Sequence, residues 1–82
     1  MKIPLQIIED DEVESYIIKR NLSKQYTKSK QLILSGDIGG TKFGIKEPKQ
    51  LNIRYFRINK QYRAIGYWEN QTFIVSYIDD HQ

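Results

Sequence analysis

The chain has 82 residues, enough for one domain over residues 1–82 but not for two cores, since domains typically run to about 100–200 residues. It has no cysteine, which excludes disulfides, zinc ribbons, thiol catalysis and iron–sulfur clusters, and its lone His81 with scattered acids does not make a structural metal site. Hydrophobic residues at 39% and charged residues at 28%, with a net charge of +3, describe a folded soluble chain rather than a disordered one, and no apolar run approaches the ~20 residues of a membrane span.

Lys2 to Ile8 is apolar and rich in isoleucine and reads as a short strand, with Pro4 placing it at an edge or a beginning. The opening MKIPLQIIEDDE then turns acidic, unlike a secretory signal, so a cytoplasmic location is expected. Asp10 and Asp11 offer helix N-caps, and Asp11 with Glu14 has the spacing of a capping box. Val13, Tyr16 and Ile17 form a helical stripe, which breaks at Asn21 to Ser23. A second helix is predicted from about Leu22 to Ser35, with Leu22, Tyr26 and Ile33 on one face and Ser29 beside them. Gly36 supplies its stop. Asp37 to Thr41 reads as a loop, whose glycines are wrongly spaced for a phosphate-binding motif.

From Thr41 onward the period changes to two. Phe43 and Ile45 make a short apolar pair, and Leu51, Ile53 and Tyr55 alternate with Asn52, Arg54 and Phe56. Turns at Asn59-Lys60-Gln61 and Glu69-Asn70-Gln71 separate strands at Tyr62 to Trp68 and Phe73 to Ile78. The expected fold is therefore α+β: an N-terminal strand, two helices, then a three-stranded antiparallel meander, with the helices on one face of the sheet. The other face is left for function.

Charge is unevenly distributed. Residues 1–16 carry one base and five acids (−4), residues 17–68 twelve bases and two acids (+10), and residues 69–82 three acids and no base (−3). A basic middle suits a polyanion, most commonly nucleic acid, and it equally suits a solvated surface. By strand parity Arg54 and Arg57 point to opposite faces, and Arg63 shares a face with Ile65 and Tyr67. Arg63 has two readings: an ion pair with Asp79 or Asp80, or a guanidinium open to a phosphate, whose geometry it fits with two hydrogen bonds. His81 is the side chain whose ordinary pKa lies nearest neutrality. Together these supply a base or acid and a cation, which suffice to cut RNA without a metal through attack of its own 2′-OH. Tyr55 and Tyr67 are candidates for exposed, base-stacking rings.

Residues 54–65, reading RYFRINKQYRAI, and residues 73–81, reading FIVSYIDDH, carry a resemblance. They resemble the C-terminal half of the RelE/ParE toxin superfamily, HigB-like branch, in which an "RIN..YR" strand enters a hairpin and the chain ends in "DYH". Here that ending reads Asp79-Asp80-His81, with an acid in place of the tyrosine. The resemblance implies a RelE-like fold and a ribosome-dependent endoribonuclease of mRNA, needing no cofactor or metal and partnered by a small antitoxin. It implies catalytic roles for His81, Arg63 and Asp79 and a basic contact at Arg57, with the basic belt from Lys19 to Arg63 toward ribosomal RNA; Arg54, Tyr55, Tyr67 and Lys46 are the further candidates for substrate contact. The alternatives are a ParE-like toxin that binds a protein such as gyrase without chemistry, and an interaction protein with no nuclease activity.

Overall fold

Residues 3–36, 44–45 and 53–80 are described by a computed structural model of the chain. The elements run β1 (Gln6–Glu9), α1 (Asp11–Lys19), α2 (Ser23–Leu34), β2 (Gly44–Ile45), β3 (Ile53–Arg57), β4 (Tyr62–Glu69) and β5 (Thr72–Asp80). This is the α+β order expected from the sequence. The strands form one sheet in the order β1-β5-β4-β3-β2. β3, β4 and β5 are the antiparallel meander, while β1 pairs with β5 in parallel, Gln6 opposite Thr72 and Glu9 opposite Val75. β2 adds a short antiparallel edge, with Gly44 opposite Tyr55.

The helix ends follow local chemistry. α1 carries Asp11, Glu12 and Glu14 in its first turn and Lys19 in its last, each sign favourable to the helix dipole. Asn21 takes a left-handed φ of 57°; its N–H donates to the Ile18 carbonyl and the Leu22 N–H to the Ile17 carbonyl. Those two bonds make a Schellman stop, and they fix the break expected near Asn21. Gly36, at φ 93°, ends α2 in a left-handed conformation, its N–H donating to the Ile33 carbonyl at 3.0 Å.

Two local expectations need correction. Asp10 occupies the N-cap of α1 with no side-chain capping bond, so Asp11 and Glu14 lie inside the first turn and form no capping box. The first strand spans Gln6–Glu9 rather than Lys2 to Ile8: Pro4 is buried ahead of it, and the parallel register with β5 begins at Gln6. The proposed loop from Asp37 to Thr41 lies outside the described residues.

The core joins Val13, Ile17, Leu22, Tyr26 and Ile33 of the helical half to Ile7, Phe56, Ala64, Phe73 and Val75 of the strands. By register those five strand residues share one face of the sheet. Glu9 lies on the same face, where its Oε2 accepts from the Tyr26 hydroxyl at 2.7 Å and from Lys30 Nζ at 2.9 Å. Burial first, then the hydrogen bond and charge of Glu9, push the Tyr26 hydroxyl far above its ordinary value of 10.0. Unfolded tyrosine ionises near pH 10, so the stability tied to neutral Tyr26 is intact below that pH and is lost as the pH rises past it. Tyr26→Phe should cost about 1.5 kcal/mol at pH 7, the scale of a hydrogen bond to a charged group, and should flatten the alkaline slope. Urea melts at pH 7 and pH 11 check both; an unchanged slope would exclude Tyr26 as its source.

Candidate functional site

The β3–β4 hairpin is held to α2 by side chains. Ser29, buried in α2, donates its hydroxyl to the Arg57 carbonyl at 3.1 Å, and Asn59 Nδ2 donates to Gln25 Oε1 at 2.7 Å. Within the turn the Asn59 side-chain oxygen accepts from the backbone N–H groups of Gln61 and Tyr62, both at 2.8 Å. Asparagine suits this position because its short amide replaces missing turn bonds. The hairpin so fixed sets Arg57 directly opposite Arg63.

β5 reaches the same place through a bulge. Ile65 pairs with Tyr77 but Gly66 pairs with Val75, so Ser76 is the extra residue, and its hydroxyl donates to the Ile65 carbonyl at 3.3 Å. Strand side chains alternate with period two, so strict alternation from Phe73 and Val75 would send Tyr77 and Asp79 to the core side. The bulge reverses them. Ile78 packs on the core, while Tyr77 and Asp79 take the outer face.

The outer face thus reads in rows. Arg57, Arg63 and Asp79 form one row; Tyr55, Ile65 and Tyr77 form the next; Ile53, Tyr67 and Ile74 form the third, continued by Ile8. The Arg63 guanidinium lies 5.2 Å from the centroid of the Tyr55 ring, a cation–π arrangement. Asp79 is across the strand from Arg63, yet among the described residues the one salt bridge is Lys30–Glu9. Asp80 turns to the other face and accepts from Gln61 Nε2 at 2.9 Å. Of the two readings for Arg63, the ion pair with Asp79 or Asp80 is therefore not formed.

Of the residues singled out in the sequence, the fold brings Arg57, Arg63, Asp79, Tyr55 and Tyr67 onto one face. Arg54 pairs with Gly66 and has the parity of Phe56, so it sits on the opposite face from the others. His81 and Lys46 lie outside the described residues; β5 ends at Asp80, directly before His81. Tyr77 was missed as a site residue because its apparent alternation points inward, and Ser76 with Gly66 is the signal that reverses it. Among the described residues no group of three or more His, Asp or Glu could hold a metal ion, and no helix is long and apolar enough to cross a membrane.

Arg57 and Arg63 are cross-strand partners, and like charges across a strand pair are destabilising. A phosphate between them would relieve that repulsion, and either arginine could grip it with two hydrogen bonds. No protein-family model matches the chain, and no curated protein matches its sequence.

Proposed function

We propose that the chain is a ribosome-dependent endoribonuclease that cleaves mRNA, the toxin of a toxin–antitoxin pair held in check by a small protein antitoxin. The observation that carries this reading is the row of Arg57, Arg63 and Asp79 on the outer face, with His81 following Asp80 in the sequence. The resemblance of residues 54–81 to RelE/ParE toxins and the net +10 of residues 17–68 support it.

In the proposed reaction the ribose 2′-OH attacks the adjacent phosphorus. The new O–P bond forms as the bond to the 5′-oxygen breaks, leaving a 2′,3′-cyclic phosphate and a 5′-hydroxyl. A base removes the 2′-proton and an acid supplies one to the departing oxygen; His81 and Asp79 are the titratable groups for these roles. Arg63 and Arg57 stabilise the charge that builds on the phosphate oxygens in the transition state.

Primer-extension mapping of a model mRNA on translating ribosomes tests this, with wild type beside His81→Ala. Cuts are expected from wild type, with His81→Ala reduced by about 10²–10⁴-fold, the range for loss of a general acid or base. Equal cutting by both proteins would move the chemistry to Asp79 and the arginines. No cutting by wild type would overturn the nuclease reading and favour a toxin that binds a protein target.

A further inference from the structure

The row beneath the arginines has no role in the chemistry above. Tyr77 is 46% exposed and Tyr67 is 42% exposed, although both are large rings on a sheet face. Between Tyr55 and Tyr77 lies Ile65, 1% exposed and yet outside the core cluster shared with the helices. The outer face therefore has a covered floor with two open rings standing at its border. Tyr55 is engaged by the Arg63 guanidinium, which leaves Tyr77 and Tyr67 as the accessible ones.

We propose that Tyr77 and Tyr67 form a stacking platform for the bases of single-stranded RNA, whose phosphates lie along Arg57 and Arg63. The inference rests on the nuclease reading above and adds to it a binding subsite separate from the cleavage chemistry. Charge complementarity selects the occupant: the opposed arginines call for an anion, and the open rings one row (Tyr77) and two rows (Tyr67) away call for flat, apolar surfaces. A single strand of RNA offers both at the same repeat, whereas in a duplex the base faces are already stacked on one another. Tyr77 is opposite Ile65 and Tyr67 is two residues further along β4, so the two are diagonal neighbours on adjacent strands, about 7–8 Å apart. Stacking of this kind tolerates any base, so the platform positions the strand and carries little sequence preference.

Fluorescence anisotropy with a short, labelled RNA oligonucleotide bearing 2′-O-methyl groups separates binding from cleavage, because that RNA lacks the attacking hydroxyl. Tyr77→Ala should weaken binding by about 5- to 150-fold and Tyr67→Ala in the same direction, the range for loss of one stacked base. Tyr77→Phe, which keeps the ring, should bind like wild type. Binding of a duplex RNA of the same length should not respond to Tyr77→Ala. Circular dichroism confirms that each variant is folded. A folded Tyr77→Ala that binds the single strand like wild type would overturn the platform, while cleavage by wild type would leave the nuclease reading standing. Failure of wild type to bind the single strand would also overturn the platform, and the nuclease reading would then stand or fall on cleavage with ribosomes.

Discussion

Arg63→Ala should lower the rate of RNA cleavage by about 10²–10³-fold, the loss seen when one preorganised donor to a developing oxyanion is removed. The fold should hardly notice. Arg63 is half-buried near the start of β4, opposite Arg57 on one side and Asp79 on the other, and no ion pair joins it to a carboxylate among the described residues. Its ring contact with Tyr55, at 5.2 Å, contributes about 0.5–1 kcal/mol at a partly exposed site. Removing Arg63 also removes the repulsion from Arg57, which offsets part of that loss. A net change of at most about 1 kcal/mol corresponds to a fall in melting temperature of roughly 4–8 °C for a domain this small. Arg63→Lys should recover only part of the rate, because a point charge replaces a planar fork. Single-turnover cleavage on ribosomes together with a thermal melt separates the two effects. A fall of 15 °C or more, with unchanged activity per folded molecule, would make Arg63 a structural residue.

The order of elements was legible because each boundary has a local cause. Period-two alternation marked β3 and β4, Asn21 and Gly36 marked the helix ends, and Asn59 marked the hairpin that brings Arg57 to Arg63. Features that depend on distant partners left no local mark. The parallel pairing of β1 with β5 joins the two ends of the chain, and nothing in the Gln6–Glu9 stretch names its neighbour. The Glu9–Tyr26–Lys30 cluster likewise arises only when β1 and α2 meet; the sequence showed Tyr26 simply as an apolar-face residue. The site was half legible. Arg63 and Tyr67 follow from parity on a regular strand, while Tyr77 and Asp79 depend on one extra residue in β5. A single-residue shift exchanges the two faces of a strand, so the bulge decides which side chains can meet Arg63.

Gly66→Ala tests that dependence and should destabilise the protein by about 3 kcal/mol or more, at or beyond the upper end for an overpacked core site. A Cβ at Gly66 would stand 2.0 Å from the Ile74 carbonyl oxygen, 2.8 Å from its carbon and 3.1 Å from Phe73 Cε2. The first two atoms are backbone, so no rotamer change relieves the clash; β4 and β5 must separate or the bulge must straighten. Separation loses ladder hydrogen bonds beside the buried Phe73 and Val75. Straightening sends Tyr77 and Asp79 back toward the core side. Gly36→Ala is the matched control: its φ of 93° strains an alanine, but the new Cβ meets only the Ile3 Cδ1 atom at 3.4 Å, so about 1 kcal/mol is expected. Thermal melts should therefore rank the pair, with Gly66→Ala lower by roughly 10–20 °C relative to wild type and Gly36→Ala by about 4–8 °C. At a temperature where Gly66→Ala is still folded, binding of the 2′-O-methyl RNA should also fall, because Tyr77 leaves the outer face. Gly36→Ala should bind like wild type. Equal losses of stability, or a folded Gly66→Ala that binds RNA normally, would mean that the bulge does not position the site.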